Sequence, residues 1–592
     1  MIVVGAGHAG LEAAFAAARV GARVHVITGR LDTVGQTPCN PSVGGIAKGH
    51  LVHEIDALGG FMGRAADACA IHSRVLNRSK GPAVRATRVQ VDKRRYGEYA
   101  RAALASYPGV ESSEGLVTRV LLEGRRVVGV ALQDGATVRG DAVVVTTGTF
   151  LGGVLHTGHV RTPGGRVGEP PATALSRQLA ALGFALRRLK TGTPARLDGR
   201  TLALEGLEAQ PSDEPFPRFS QPDEVGEPPR RLPTVRCHLT WTRPETHALI
   251  RAHLHESAMY SGAIEGRGPR YCPSIEDKVV RFADRDRHQV FLEPEGLDTA
   301  SVYPNGISTS LPAAVQEAFV RTIPGLERAE LLRPGYAVEY DAVDARALDH
   351  ALASKDHEGL YFAGQINGTS GYEEAGAQGL IAGANAALRL LERPALTIAR
   401  DEGYAGVLID DLITQGCDEP YRMFTSRAEY RLILRCDNAD RRLGAKAHAA
   451  GLISSARHER NRERASRILE VAALLRRNRQ PAAREAALAA CEQPGWVIER
   501  ALAEVTYEGY LDRQRREIER IRGEGTQDLP LSPALDYHAL GGLTREAAER
   551  LARVRPTSTG QAARIPGITP AAVMCLWAHA RREQRRAASV RR

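Results

Sequence analysis

The first 28 residues commit the chain to an α/β fold. Ile2-Val3-Val4 is a short apolar run. Gly5-Ala6-Gly7-His8-Ala9-Gly10 follows, then Leu11-Glu12-Ala13-Ala14-Phe15-Ala16-Ala17-Ala18, a strong helix former, and then Arg23-Val24-His25-Val26-Ile27, which reads as a second strand. A strand, a Gly-x-Gly-x-x-Gly turn, a helix and a strand make a β-α-β unit of the dinucleotide-binding kind. Each glycine has its own task. The first allows the tight turn, the second lets the backbone approach a pyrophosphate, and the third lets helix and strand close together. The helix N-terminus turns free amides and the positive end of its dipole toward the phosphates. One departure stands out. Thr28-Gly29-Arg30 occupies the place where an Asp or Glu usually meets the ribose, and Asp32 comes four residues late.

Two later segments decide between dinucleotides. Val127 to Leu132 and Ala142 to Thr146 read as strands, the latter running into Thr147-Gly148-Thr149. Gly359-Leu360-Tyr361-Phe362-Ala363-Gly364-Gln365 reads as a late strand, and Gly371 to Leu391 as an Ala/Gly-rich helix. A returning strand whose helix starts beside the first helix is the arrangement of large FAD-binding domains. Residues 163 to 233, rich in Gly and Pro, read as loops and short strands. After Pro394 the pattern turns helical: 455 to 525 is dense in Ala, Leu, Arg and Glu, and 530 to 592 reads as several short helices. No window approaches 18 unbroken apolar residues, so no membrane span is expected. No basic region precedes the apolar start, so no secretion signal is read. The cysteines stand far apart (39, 69, 237, 272, 417, 436, 491, 575), with no Cys-x-x-Cys pair. That spacing suggests neither a metal site nor a disulfide framework, and a reducing cytoplasm is the simplest compartment.

Charge is unevenly spread. From Gly451 to Arg592 there are 26 arginines and no lysine against 17 acids, an excess of nine in a chain whose formal net charge is +10. Such asymmetry points to a polyanion partner bound with counterion release. A second basic run comprises Arg74, Arg78, Lys80, Arg85, Arg88, Lys93, Arg94 and Arg95, against Asp92 alone.

Two cysteines sit in settings unlike core. Cys39 lies in Gly35-Gln36-Thr37-Pro38-Cys39-Asn40-Pro41-Ser42-Val43-Gly44-Gly45-Ile46-Ala47-Lys48-Gly49-His50, just after the second strand, where α/β sheets bind ligands. Lys48, His50 and the next helix start would depress its pKa and make it a nucleophile. Cys272 lies in Gly268-Pro269-Arg270-Tyr271-Cys272-Pro273-Ser274-Ile275-Glu276-Asp277-Lys278, with Arg270 and Lys278 as its cations. The other six cysteines are expected to be buried and inert.

Those stretches, with Ala363-Gly364-Gln365-Ile366-Asn367-Gly368-Thr369, Tyr421-Arg422-Met423-Phe424-Thr425-Ser426-Arg427-Ala428-Glu429-Tyr430-Arg431 and the terminal run from Arg555-Pro556-Thr557 to Pro570, resemble nearly end to end the MnmG (GidA) family of tRNA wobble-uridine modification flavoproteins. The resemblance implies an α/β fold with a Rossmann-like, glutathione-reductase-type FAD-binding domain. It would be split into residues 1–200 and 331–395 around an α+β insertion at 201–330 that handles NAD. A helical C-terminal domain at 396–592 would bind tRNA and the GTPase partner. FAD would meet Gly5, Ala6, Gly7, His8, Ala9, Gly10, Val117, Ser176 and Gln365. NAD(H) would meet Gly268, Pro269, Arg270, Tyr271, Pro273, Ser274, Ile275, Glu276, Asp277, Lys278 and Phe282. Cys39 and Cys272 match the two cysteines of the chemistry. The family implies methylenetetrahydrofolate as carbon donor, glycine or ammonium as amine, a homodimer, and a heterotetramer with the GTPase MnmE. A thiolate adding to C6 of uracil would activate C5; Cys272 is assigned that addition, and Cys39 an assisting role near the flavin. The anticodon base must leave its stack to reach the site. The basic run at 74–95 and the C-terminal arginines would hold phosphates.

Three rival functions remain open from the sequence. One is a folate- and FAD-dependent tRNA uridine methyltransferase of the TrmFO kind, which lacks the long helical extension after about Ala395. Another is a small-molecule flavin oxidoreductase, which has no need of a basic tail. The third is a scaffold for the GTPase in which FAD only fills space.

Overall fold

The computed structural model describes residues 1–220, 232–268, 273–478, 480–523 and 528–590. A five-stranded parallel sheet is built from β1 (Ile2–Val4), β2 (Val24–Thr28), β3 (Val110–Glu114), β4 (Val143–Val145) and β5 (Leu360–Phe362). Its order is β5-β4-β1-β2-β3, and β1 pairs in register with β2 (Val3 with Val26) and with β4 (Val3 with Val144). β1, β4 and β5 are buried at every residue, which is why they read as unbroken apolar and aromatic runs rather than as an alternation.

Helix α1 (His8–Val20) returns the chain from β1 to β2 and stops at Gly21, whose φ of 115° places its amide on the carbonyls of Ala17 and Ala18. Helix α2 (Tyr372–Leu390) follows β5 and lies directly on α1. The Ala/Gly composition of α2 permits that contact. A Cβ at Gly379 would come within 2.1 Å of the Ala9 carbonyl oxygen, and one at Gly383 within 2.2 Å of that of Ala13. The two helix N-termini are thereby held side by side at the same edge of the sheet.

Between β2 and β3 the chain forms the helix Lys48–Ala57 and an antiparallel sheet of Ser42–Gly44, Ala86–Val91 and Ala70–Leu76. A four-stranded sheet (Val160–Pro163, Val154–Thr157, Tyr336–Val343, Leu186–Thr193) then leads into a six-stranded one. The latter holds Cys237–Trp241, Gln289–Pro294, Ser301–Asn305 and Arg196–Asp198, and encloses its own core around Leu197, Ile250, Ile275, Leu292 and Phe319. The stretch read as loops and short strands thus contains a helix, Thr173–Ala181, and an eight-residue strand, Leu186–Thr193. That strand hides in the sequence because its Arg188 is matched across the sheet by Glu339 and Asp341 at 3.4 and 3.1 Å, so charge stands where an apolar alternation would have signalled a strand.

The C-terminal region is helical, with Tyr404–Gln415, Ala439–Ala450, Ser455–Arg477, Pro481–Ala489 and Gly495–Gly523. A terminal bundle of Arg545–Val554, Thr559–Ala563 and Pro570–Val590 closes on a separate core of Leu529, Leu551, Ile565 and Leu576. Its last helix spans 21 residues, longer than the short helices read from the sequence. Arg564 ties the bundle to Asp410 at 2.7 Å, Arg555 to Asp356 at 2.7 Å, and the Lys355 ammonium donates to the Val554 carbonyl at 2.5 Å. Among the described residues no helix is long and apolar enough to cross a membrane.

Candidate functional site: a dinucleotide cleft with a thiol on its wall

A cleft of about 500 Å³ opens at the C-terminal ends of β1, β2 and β4. Gly5, Ala6, Gly7, His8 and Ala9 form its floor, Thr28, Gly29 and Arg30 one side, and Thr146, Thr147 and Gly148 the other. The three motif glycines divide their tasks as the pattern predicts. Gly5 has φ +101° and backs onto the Thr146 carbonyl. A Cβ on Gly10 would lie 1.9 Å from the Gly5 oxygen, whereas one on Gly7 would meet no atom within 4 Å. Gly10 is therefore needed for packing, and Gly7 leaves room on the cleft side. Gly7 caps α1 without a side-chain hydrogen bond, and no acid sits in the first turn, so the helix's positive end faces the cleft uncompensated. His8 stacks on Tyr372 with ring centroids 4.5 Å apart, and burial lowers its pKa to about 4, so the ring is neutral at pH 7. His8 Nε2 and Thr147 Oγ1 are buried with no hydrogen-bond partner among the described residues. Orphaned groups of that kind, beside an open helix end and a bare Gly7, fit a polar dinucleotide.

Val117, Gln365 and Cys39 also line the cleft. Ser176 does not: it is buried, and its hydroxyl donates to Asp341 at 2.6 Å while its neighbour Leu175 takes the place at the wall. Glu169 supplies an acid near the end of β2, its carboxylate accepting from Thr33 at 3.3 Å, although it comes from 136 positions away. Among the described residues of the segment 268–282 none lines the cleft. Ser274 caps the helix Ile275–Arg281, and Glu276 is buried among Ser257, Thr309 and Ser310. Lys278 donates to the Gly306 carbonyl at 2.6 Å, and Phe282 is exposed. Pro269, Arg270, Tyr271 and Cys272 lie outside the described residues. Just before them, Glu339 accepts from the amides of Glu265 and Gly266 at 2.9 and 2.6 Å and fastens that strap to the sheet.

The surroundings of Cys39 correct the sequence reading. Lys48 and His50 are not its activators. The Lys48 ammonium meets Glu373 at 2.9 Å and Glu374 at 3.4 Å, at the start of α2. His50 is buried against the Ala83 carbonyl, and burial drives its pKa down to about 3. The cations at Cys39 come from elsewhere. Arg196 donates to its carbonyl at 2.8 Å and to that of Pro38 at 2.9 Å, and Lys93 donates to the Cys39 carbonyl at 3.3 Å. Glu295 joins these two cations, 2.8 Å from each. Burial lowers the Lys93 pKa to about 8, while the two cations hold Glu295 down at about 2 against the opposing effect of its own burial. The Cys39 amide donates to the Tyr372 hydroxyl at 2.9 Å, and its sulfur lies 3.3 Å from Tyr303 Oη. None of Tyr303, Arg196, Lys93 or Glu295 belongs to a motif; Lys93 alone falls in the basic run, where the expectation is a phosphate contact rather than a partner for Cys39.

The basic run is largely spent on the protein itself. Arg88 reaches Glu293 at 2.5 Å and Lys93 reaches Glu295, both inward. Arg78 pairs with Asp213 at 3.3 Å, Arg85 with Glu499 at 3.0 Å, and Arg94 with Asp298 at 2.7 Å. Burial pushes the thiols of Cys69, Cys237 and Cys417 up to about 12, which leaves them unreactive near neutral pH.

A parallel sheet, a Gly-rich turn beneath an open cleft bordered by the N-termini of two helices, and a thiol in the cleft wall define a large α/β protein of the dinucleotide-binding architecture. The sequence profile described as glucose inhibited division protein A matches residues 1–394, and that of the tRNA modifying enzyme MnmG/GidA C-terminal helical bundle matches residues 517–592. The tRNA uridine 5-carboxymethylaminomethyl modification enzyme MnmG of Syntrophotalea carbinolica is 49% identical over 609 residues, covering 97% of each chain. Two crystal forms of Aquifex aeolicus GidA superpose with TM-scores of 0.90 and 0.91 at 44% and 45% identity, each covering 98% of this chain and 98% and 99% of theirs. The chain belongs to the GidA family.

Proposed function

We propose that this protein is the FAD-dependent enzyme that builds the carboxymethylaminomethyl group on C5 of a tRNA wobble uridine. The observation that carries the reading is the meeting of two features in one cleft: the Gly5–Gly10 turn with its open helix end, and the Cys39 thiol. Gly7 and the first amides of α1 would hold the pyrophosphate, Glu169 stands near the expected ribose, and Val117 and Gln365 line the walls. FAD, when bound, would supply the hydride transfer that the side chains of the cleft do not. The chain's own residues do the rest. Tyr372, Arg196 and Lys93 pin the backbone of Cys39 so that its sulfur stays at the wall. The neutral His8 ring fills the space beneath without bringing a charge. Cys272 keeps its assigned role as the thiolate that adds to C6 of the uracil, with the strap fastened by Glu339 leading up to it. Methylenetetrahydrofolate as one-carbon donor, NADH as reductant, glycine or ammonium as amine, a homodimer, assembly with the GTPase MnmE and a cytoplasmic location complete the proposal. The C-terminal helices are the proposed surface for tRNA and the GTPase, supported by their excess of nine positive charges.

Nucleoside analysis of total tRNA from cells lacking this protein tests the reading. The wobble-position carboxymethylaminomethyluridine is expected to disappear and to return on complementation. Unchanged modification in the deletion strain would end the proposal.

A further inference from the structure

We propose that Tyr303 is a catalytic residue: its hydroxyl donates a hydrogen bond to the Cys39 sulfur and sustains it as thiolate. The inference rests on the proposed function, with Cys39 in its assisting role beside the flavin. Tyr303 Oη lies 3.3 Å from Sγ, on the strand Ser301–Asn305. Tyr303 is 5% exposed, and the Arg196 guanidinium stacks on its ring at 4.6 Å. The same guanidinium holds the carbonyls of Pro38 and Cys39. One buried cation therefore fixes both members of the pair, the phenol through its face and the thiol through its backbone.

Lys93 and Arg196 act on the sulfur through their charge, but among the described residues no other group aims a hydrogen-bond donor at it. The Gly192 carbonyl, 3.9 Å away, is an acceptor: it can take the S–H proton's hydrogen bond but repels a thiolate. The Tyr372 hydroxyl accepts from the Cys39 amide and donates its own proton to the Asn40 carbonyl at 3.5 Å. Lys93 and Arg196 are committed to the backbone carbonyl and to Glu295. Tyr336 lines the same cleft but makes no hydrogen bond to Sγ among the described residues. On ionisation the S–H proton leaves to solvent in the cleft. Tyr303 keeps its own proton and turns it to the sulfur, and no bond other than S–H breaks.

The test is the pH dependence of Cys39 alkylation by iodoacetamide in the full-length protein without tRNA, read by mass spectrometry of the peptide that contains Cys39. Tyr303→Phe keeps the ring under Arg196 and leaves Lys93, Arg196, Glu295, Tyr336 and Tyr372 in place, so a shift belongs to the lost hydroxyl. The alkylation midpoint is expected to rise by about one pH unit, a roughly tenfold change in thiolate population at fixed pH. An unchanged midpoint overturns the inference. Where that variant does not fold, 3-fluorotyrosine installed at position 303 alone takes its place: a more acidic phenol is a better donor, so the midpoint is expected to fall, and no shift again overturns it. The readout needs no substrate. A Tyr303-dependent thiol in a protein whose deletion leaves the wobble uridine modified would retain this inference and end the functional reading; the opposite pair of results would do the reverse.

Discussion

A single methyl group separates the roles of Gly7 and Gly10. On Gly10 it would strike the Gly5 carbonyl oxygen at 1.9 Å, and the helix would have to leave the sheet. On Gly7 it finds open space, and the residue's φ of −77° suits alanine. Gly7→Ala is therefore expected to melt within about 3 °C of the parent, since such a change at a compatible backbone is worth under about 1 kcal/mol. Its FAD affinity, followed by flavin fluorescence, is expected to fall roughly tenfold or more, about 1.4 kcal/mol. Gly10→Ala is expected to lose the fold along with the ligand. These roles were legible in the sequence because a β-α-β unit is local: the turn, its helix and its strands lie within 28 residues. The partners of Cys39 were not. Lys48 stands nine positions away in sequence yet serves Glu373, 325 positions on, while Arg196 and Tyr303 arrive from paired strands of another sheet. Proximity along the chain was a poor guide because the groups that fix Cys39 come from strands 157 and 264 positions further on.

The helix Lys48–Ala57 shows what a buried element costs in acid. It carries His50 and His53, whose burial lowers their pKa values to about 3 and about 4 from an ordinary 6.5. Below pH 6.5 the unfolded chain takes up protons that the folded helix refuses. The stabilisation is complete above pH 6.5 and is lost progressively as pH falls toward 4, up to about 3 kcal/mol for each ring. The urea midpoint is expected to drop steadily between pH 7 and pH 5. His53→Gln, which keeps a polar group near Thr87, is expected to make that slope shallower; an identical slope would place the proton uptake elsewhere. The sequence suggested a helix start here but gave no sign that both imidazoles face inward, because a Gly- and Pro-rich approach says nothing about which face is covered.

Across the molecule, the C-terminal bundle is secured by charge. Burial works against ionisation of Asp410, but hydrogen bonds from His350 and Arg564 and the charge of Arg400 outweigh it and hold the carboxyl well below the usual range. The contribution of this group to docking is present above the ordinary carboxylate pKa and survives until strong acid. Asp410→Asn leaves Arg564 and Arg400 short of a partner at a site 3% exposed on the acid's side, a loss of about 3 kcal/mol or more. Trypsin is then expected to release the bundle from full-length protein several-fold faster; equal cleavage rates would show that the bundle is held by other contacts. The excess of arginine in the last quarter was legible from composition. Which arginines remain outward was not, since Arg457 is committed to Asp56 and Arg500 to Asp440. The tether of Lys93, Glu295 and Arg196 behind Cys39 has one more consequence. A ribosome that has made only the first 190 or so residues has completed the thiol's loop and Lys93, but neither Arg196 nor Glu295 nor Tyr303. The sulfur stays unguarded on the emerging chain until residue 303 has been translated and folded back, so the interval most exposed to stray oxidants falls during synthesis, before the finished enzyme exists.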